Sequence, residues 1–477
     1  MSRISQRLYF ASPVWLQQIM LWVYGTRLRR VRYGGIHRRV LAELMQSQSA
    51  SEGELEAAQL ARLNDTLQHA RNTVPFYRSL PEQRLSRLTD LQELPILTKA
   101  DIQAAGKELV SRAFQRARLR EIHTGGTTGK PLTIYCDAAT LQRNYAFFSR
   151  FQAWANIPDG SRVAVFAGRT IVPPEQASPP YWRRNPAANS LLLSSYHLSP
   201  TTLPHYVKAL AEFQPASIDS YPSSLEPVAR FVVDRGIDTI RPRAVITSSE
   251  TLHPSIRELF EQAFACPVFD HYGAAEMAAL ITQCERGTYH ANPEFGVVEV
   301  LHEGKPVGPG EAGEIVATGF INPVMPLVRY ATGDQAIRGV SNACACGRAF
   351  PVIDQIVGRL DDLIITPEGR RVGRLDPIFK AVGGLQETRI VQDRIDHVRV
   401  EVVTGGRPIP TAQRETLRHE LATRLGPLMD IDIVEIAAIP RTASGKLRTV
   451  VNLVHKDARS LEPVQTSPAI RRNGREK

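Results

Sequence analysis

Only five cysteines occur in 477 residues, too few for a disulfide scaffold. No apolar run reaches the ~18 residues of a membrane-spanning helix. The N-terminus, MSRISQRLYF, has no long apolar stretch followed by a small-residue cleavage site. A secretory signal is therefore not expected, and the cytoplasm is the expected compartment. No internal repeat is visible. Acid is in short supply relative to base, with 48 Asp and Glu against 58 Lys and Arg, a net charge of +10. Apolar residues make up 43% and charged residues 22%, ordinary globular usage that excludes a fibrous, collagenous or wholly disordered chain. At roughly 100–200 residues per domain, the length predicts two to four domains.

The positive excess is concentrated. Six arginines fall between Arg27 and Arg39 with no acid among them, and the tail from Ala469 (AIRRNGREK) is also basic. Solvated patches are one reading; attraction to an anionic membrane surface or a polyphosphate is the other. No nucleic-acid-binding signature surrounds the arginines, so that partner is not expected.

Four regions are expected. Residues 1–50 form a basic lead-in in which Trp15, Leu16, Ile19, Met20, Trp22, Val23 and Tyr24 crowd together. This segment reads either as an amphipathic helix in a membrane interface, at the inner membrane face, or as a helix docked on the protein body, the latter being favoured. A large domain spans 51–360. It opens with a helix at 51–72, on Leu60, Leu63, Leu67 and Ala70, ended by Val74-Pro75. Strands are expected at 162–168, 191–195, 244–248 and 267–272, and helices at 200–213, 225–235 and 254–265, the first with Ser199 as N-cap. That alternation predicts an α/β fold. The proline-rich 172–186 reads as a loop and surface flap. A small mobile α+β domain follows at 361–454, with strand-like 397–403 and 432–439 around a helix at 411–425. Residues 455–477 read as a polar basic tail.

Five motifs carry chemistry. The first is Thr124-Gly125-Gly126-Thr127-Thr128-Gly129-Lys130-Pro131. Its glycines let backbone approach a ligand, and consecutive N–H groups with two hydroxyls and a lysine suit a phosphate chain. A structural hairpin is the alternative. In His271-Tyr272-Gly273-Ala274-Ala275-Glu276 the glutamate is expected at a helix start, where it can hold Mg²⁺ or simply favour the helix dipole. In Arg329-Tyr330-Ala331-Thr332-Gly333-Asp334 a loop aspartate can accept from two ribose hydroxyls or serve as a turn residue. Val357-Gly358-Arg359-Leu360-Asp361-Asp362 lies at the domain switch, with Arg359 able to bind phosphate or sugar oxygens. Finally, Ser444-Gly445-Lys446 presents a lysine on a turn, where it can stabilise charge in phosphoryl chemistry or sit idle at the surface.

The five together, in this order, resemble the adenylate-forming superfamily: acyl- and aryl-CoA synthetases, adenylation domains of peptide synthetases and luciferases. The resemblance spans roughly 120–450 and looks closest to the phenylacetate–CoA ligase branch, including its capsular-polysaccharide-cluster relatives. The lead-in WLQQIMLWVYGTRLRRVRYGG and VPFYR look like that subgroup. The resemblance implies a large and a small domain with the site in the cleft between them. It implies ATP-dependent conversion of a carboxylic acid, an aryl acid in this branch, to an acyl-adenylate with pyrophosphate release. Transfer to CoA would follow. An amine acceptor (an amino-sugar or amino acid in polysaccharide biosynthesis) is the alternative, as is a non-catalytic nucleotide-binding scaffold. A homodimer is common in the branch. Carried onto this chain, 124–130 would cradle the β- and γ-phosphates of ATP, Glu276 would coordinate Mg²⁺, and Ser249, Glu250 and Tyr272, with Gly273, would frame adenine. Asp334 would hold the ribose, with Arg359 nearby. Lys446 would bridge carboxylate and α-phosphate, and Asp361 would be the hinge. Acid-pocket candidates are Tyr135, Phe147, Phe148, Tyr221 and Ala274.

Three departures stand out. Gly125-Gly126 replaces a Ser-Gly or Thr-Gly opening, and Ala331 replaces an arginine. After Asp362 the chain reads LIITPEGRRVGRLD rather than a glycine-valine-asparagine run. That segment lies near the thioester-forming site in relatives, so adenylation is better supported than CoA transfer.

Among the cysteines, Cys344-Ala345-Cys346 forms a short loop, and Cys284 with His290 precedes it by about 60 residues. A tetrahedral Cys₃His zinc site is one reading, though Cys-x-Cys is tighter than the common Cys-x₂-Cys. Free thiols are the other. The branch carries a similar Cys…His…Cys-x-Cys-Gly-Arg pattern, which implies structural Zn²⁺. Cys136 and Cys266 read as core.

Overall fold

The computed structural model describes residues 8–123, 132–167, 171–173, 175–199, 201–252 and 254–358. Beyond these it describes 364–367, 371–372, 375, 378–379, 385, 387–404, 406, 408–437, 439 and 450–454. The chain divides into two compact units, Met1–Leu360 and Asp361–Lys477. Both are mixed α/β.

The first unit opens with helices α1 (Val14–Tyr33), α2 (His37–Ser47) and α3 (Glu52–Thr73). A reciprocal capping box starts α3. The Ser51 N–H donates to the Glu54 carboxylate at 2.9 Å, and the Glu54 N–H donates to the Ser51 hydroxyl at 3.4 Å. A hairpin of β1 (Arg120–His123) and β2 (Thr133–Cys136) leads into α4 (Ala138–Trp154), which the Asp137 carboxylate caps at the Thr140 N–H.

A large sheet then assembles from β3 (Val163–Ala167), β4 (Trp182–Asn185), β5 (Ser190–Ser194), β6 (Ser217–Ser220), β7 (Ala244–Ser248) and β8 (Val268–Gly273). Its other half is β9 (Leu280–Gln283), β10 (Tyr289–Ala291), β11 (Gly296–His302), β12 (Lys305–Pro306), β13 (Ala312–Gly319), β14 (Tyr330–Arg338) and β15 (Val352–Gly358). Among the described residues the strand order is β12-β11-β13-β14-β15-β10-β9-β8-β7-β6-β3-β5-β4. The pairs β5–β3, β3–β6, β6–β7 and β7–β8 are parallel. From β8 onward every pair is antiparallel. Helices α5 (Leu203–Phe213), α6 (Pro222–Asp234) and α7 (Pro254–Phe264) cover the parallel half, burying Tyr206, Leu210, Val228, Val232 and Phe260 with Phe166, Leu193 and Ile218. Short apolar strands between amphipathic helices leave the carboxyl ends of β7 and β8 at one rim, where α/β sheets bind ligands.

The second unit holds a sheet of order β19-β18-β17-β20, built from β17 (Glu387–Arg394), β18 (His397–Val403), β19 (Asp430–Glu435) and β20 (Val450–Asn452), and a short strand β16 (Ile364–Ile365) that pairs antiparallel with Arg371–Val372. Its helix α8 (Thr411–Leu425) buries Leu417, Leu421 and Leu425, one residue per turn.

Four expectations are corrected. The helix expected from 200 begins at Leu203, because Ser199 does not cap it. The Thr202 hydroxyl donates to the His197 carbonyl at 2.5 Å and accepts the Ser199 N–H at 3.0 Å, closing a turn before the helix. The segment 172–186 is not all loop, since β4 pairs antiparallel with β5 and Arg183 on it is fully buried. Glu276 starts no helix and sits in the turn joining β8 to β9. Asp334 lies within β14 rather than in a loop.

Candidate functional site

Three motif segments meet at the rim formed by the ends of β7, β8, β14 and β15. Ser249 follows β7 and has φ +71°, a left-handed backbone that costs a non-glycine residue about 1–3 kcal/mol. Met277, next to Glu276, has φ +58°, and Arg329, at the head of β14, has φ +48°. Met277 adjoins a motif, Arg329 opens one, and Ser249 is itself a candidate site residue.

Two tyrosine–carboxylate pairs tie the segments together. The Tyr272 hydroxyl donates to Asp334 Oδ2 at 2.9 Å, and the Tyr330 hydroxyl donates to Glu276 Oε1 at 3.1 Å. These bonds cross from β8 and its turn to β14, strands that are not neighbours in the sheet. Burial, with the negative charge of Asp334 added, pushes the Tyr272 phenol well above its usual range, so it stays a donor. Nearby, the Thr251 hydroxyl donates to the Val357 carbonyl at 3.3 Å. A Cβ added at Gly358, whose φ is +80°, would meet that hydroxyl at 2.9 Å, so the Gly-Arg-Leu-Asp motif starts where only glycine fits.

The aspartate owes its position to a bulge. Val316 pairs with Ala331, but Glu314 pairs with Gln335, so β14 holds extra residues here. Gly333 takes φ +76° at the bulge, and its N–H donates to Glu314 Oε1 at 3.1 Å. Arg329 anchors the head of β14. Its fork meets Glu299 at 2.9 and 3.0 Å, and Nη1 donates to the Gln92 carbonyl at 3.0 Å. Sequence reading missed Tyr330 and Thr251 as partners; the tyrosine beside the Thr-Gly-Asp triplet was the available signal.

Residues 124–130, Arg359, Asp361 and Lys446 lie outside the described residues. Of the acid-pocket candidates, Phe148 packs on His271 with ring centroids 5.0 Å apart. Burial pushes that imidazole down to about 4, and its Nδ1 has no hydrogen-bond partner among the described residues. Phe147 points elsewhere, at 5.0 Å from Phe295, and lines a cavity of about 940 Å³ between α2, α3, α4 and 319–326. Phe147 and Phe148 therefore do not share a wall. Tyr221 is the N-cap residue of α6, and Tyr135 and Ala274 are half-buried.

A second cluster brings Cys284, His290, Cys344 and Cys346 together, with one ligand atom from each within 4.8 Å of the others. Cys284 opens the turn of the β9–β10 hairpin that carries His290, and the other two cysteines lie between β14 and β15. Cys284 Sγ is 3.7 Å from Cys344 Sγ, and Cys346 Sγ is 3.5 Å from His290 Nε2. The donor set fits a thiophilic ion. His290 Nδ1 is 3.2 Å from the Phe350 carbonyl, which fixes the proton there and turns the Nε2 lone pair to the sulfurs. Backbone N–H groups of Arg286, Cys346 and Arg348 each point at a sulfur, at 3.4–3.5 Å.

Residues 364–453 match the family model described as the CapK C-terminal domain. Protein CapK of Staphylococcus aureus is 27% identical over 456 residues, covering 93% of this chain and 98% of CapK. The phenylacetate–coenzyme A ligase of Escherichia coli K12 is 26% identical, covering 85% of this chain and 96% of that one. A solved 2-hydroxyisobutyryl-CoA ligase, with 2-HIB-AMP and CoA in the thioesterification state, superposes with a TM-score of 0.57. It is 21% identical over 87% of this chain and 94% of its own, and shows the fold. The relatives of this chain include CapK and phenylacetate–CoA ligases, and its fold is that of the adenylate-forming ligases. The resemblance read in the motifs holds over nearly the whole length.

Proposed function

We propose that this chain activates a carboxylic acid with ATP as an acyl-adenylate, releases pyrophosphate, and passes the acyl group to CoA. The observation that carries the reading is the pair of tyrosine-held carboxylates, Asp334 and Glu276, at one rim of the sheet. A protonated phenol on one oxygen of each carboxylate fixes its direction without neutralising it. Asp334 then accepts from the ribose hydroxyls, beside adenine framed by Ser249, Glu250, Tyr272 and Gly273. Glu276 would hold Mg²⁺, which offsets charge on the phosphates. Residues 124–130 cradle the β- and γ-phosphates. The acid's carboxylate oxygen attacks the α-phosphorus, and the bond to the β-phosphate oxygen breaks to free pyrophosphate. Lys446 bridges the two reacting groups, so positioning and charge neutralisation supply the rate. In the second step the thiol attacks the acyl carbonyl, its proton is lost, and AMP leaves. The relatives named as CoA ligases support this acceptor.

A second reading transfers the acyl group to an amine. Two observations favour it: the likeness to CapK over 93% of this chain, and the run LIITPEGRRVGRLD after Asp362. ATP–pyrophosphate exchange across aryl, fatty and amino acids tests the shared first step. One acid class supporting exchange is the expected result; the same acid with CoA or an amine then names the acceptor. ATP binding seen as a raised Tm with no exchange for any acid would leave the scaffold reading.

The Cys284, His290, Cys344 and Cys346 set would hold Zn²⁺ as a closed structural site. Elemental analysis is expected to find one zinc per chain, absent in Cys344→Ser. Stripping it should lower Tm by about 10 °C, from ~4 kcal/mol of linked stability at a thousandfold excess over Kd and ~2–4 °C per kcal/mol. A metal-free purified chain whose Tm ignores added zinc would count against the site.

A further inference from the structure

Helix α1 is docked along one side only. Gln17 is 2% exposed, and its side-chain oxygen accepts from Arg183 Nε at 2.5 Å. Gly25 lies so close to Asn185 that an added Cβ would meet Oδ1 at 2.4 Å. Arg29 Nη1 reaches the Ala187 carbonyl at 3.1 Å, and Arg32 sits 4.4 Å over the Tyr145 ring. Before the helix, the Tyr9 hydroxyl donates to the Ile171 carbonyl at 2.9 Å; after it, the Ile36 N–H donates to Gln142 at 3.1 Å. These contacts fix the rotation of α1 on the body.

The opposite face therefore cannot turn inward. Trp15 is 64% exposed, Ile19 47%, Trp22 51% and Val23 58%. Their spacing, i, i+4, i+7 and i+8, makes one apolar stripe along about 12 Å of helix. Soluble surfaces rarely leave two tryptophans side by side in water without a partner. One turn further on come Arg27 and Arg30, both exposed, and no acid lies between Arg27 and Arg39. No helix among the described residues is long and apolar enough to cross a membrane. Aromatic side chains followed by a guanidinium row match the depth profile of a bilayer surface, rings at the headgroup level and cations on the phosphates.

We propose that the Trp15–Ile19–Trp22–Val23 face of α1 docks this chain on an anionic lipid bilayer, with Arg27 and Arg30 on the headgroup phosphates. A second copy of the chain fits the face poorly. Packing two such helices together brings two arginine rows into one interface, with no acid within either row to offset them. Docking and membrane contact, opposed as readings of the sequence, use opposite sides of the same helix.

Co-sedimentation of the full chain with vesicles tests this. Binding is expected to phosphatidylcholine vesicles containing phosphatidylglycerol and not to phosphatidylcholine alone, and to weaken with salt. Tryptophan emission should shift to the blue on binding. Arg27→Gln/Arg30→Gln should weaken partitioning on the order of thirtyfold, at about fivefold per lost cation. Trp15→Ser/Trp22→Ser should abolish the blue shift while keeping the parent Tm, since both side chains face outward. Failure of the full chain to bind anionic vesicles would overturn the proposal. So would equal binding by the tryptophan variant. Light scattering that shows a dimer broken by Trp15→Ser/Trp22→Ser would assign the face to a second copy instead.

Discussion

Arg150→Met is expected to destabilise the first unit by about 3–5 kcal/mol, the cost of stranding one partner of a buried ion pair. Arg150 is 1% exposed. Its two terminal nitrogens meet Glu294 at 2.7 and 3.1 Å, Asn292 at 2.6 Å and the Leu44 carbonyl at 3.2 Å. Phe147, Trp154 and Phe350 surround the guanidinium at 5.1–5.4 Å. One side chain thus joins α2, α4 and the segment before β11. In the variant, Glu294 keeps the Ser47 hydroxyl at 2.6 Å but loses its counter-charge. Burial raises the Glu294 carboxyl, yet the charge and hydrogen bonds of Arg150 outweigh it and hold it below the usual range. A carboxyl depressed in the folded state contributes stability above its unfolded pKa and loses it as pH falls through the folded one. The gap between parent and variant should therefore be widest near neutrality and narrow on acidification. Urea unfolding followed by tryptophan emission measures it cleanly, because all four tryptophans precede residue 360. A variant within about 1 kcal/mol of the parent would refute the account. Adding Glu294→Leu should recover part of the loss, by removing the stranded charge.

Lys446→Ala is expected to lower ATP–pyrophosphate exchange about 10²–10³-fold, the effect of deleting one donor aimed at developing charge. The lysine is proposed to bridge carboxylate and α-phosphate, so it acts on the first step alone. Conversion of a synthetic acyl-adenylate and CoA to thioester should survive in the variant. The Tm rise with ATP–Mg²⁺ should survive too, because the proposed phosphate, magnesium and ribose residues all precede residue 360. Unchanged exchange would remove Lys446 from the reaction. Loss of the thioester step as well would show that the variant had damaged the unit rather than the chemistry.

Where one face of an element is continuously apolar, the sequence was a good guide. Strand β7 occupies 244–248, β18 occupies 397–403 and α8 occupies 411–425, as read. Each is set by a short apolar run or a leucine every turn. Helix α4 was not legible: its buried set includes Thr140, Gln142 and Arg150, whose side chains hydrogen-bond to groups more than 100 residues away. The antiparallel strands β9 to β15 were equally hidden, because several are only two to four residues long. The motif letters announced Glu276 and Asp334 but not their surroundings. Tyr330 holds Glu276 from 54 residues away, and Tyr272 reaches Asp334 across 62. Such pairings follow from sheet order, which local pattern does not encode. For Cys284, His290, Cys344 and Cys346 the letters suggested a set, and the two strand pairs bring the atoms within reach.

The bulge in β14 bears on how such a site can vary over generations. From Ala331 to Gln335 the strand advances four positions while β13 advances two, from Val316 to Glu314, so the surplus is two residues. An even surplus preserves the alternation of side chains on either side of it. Ala336, beyond the bulge, is fully buried because of that parity. Losing or gaining one residue here would leave Thr332, Gly333 and Asp334 spelled correctly while turning the rest of the strand inside out. Changing the length of this insert without inverting the strand would therefore take residues two at a time.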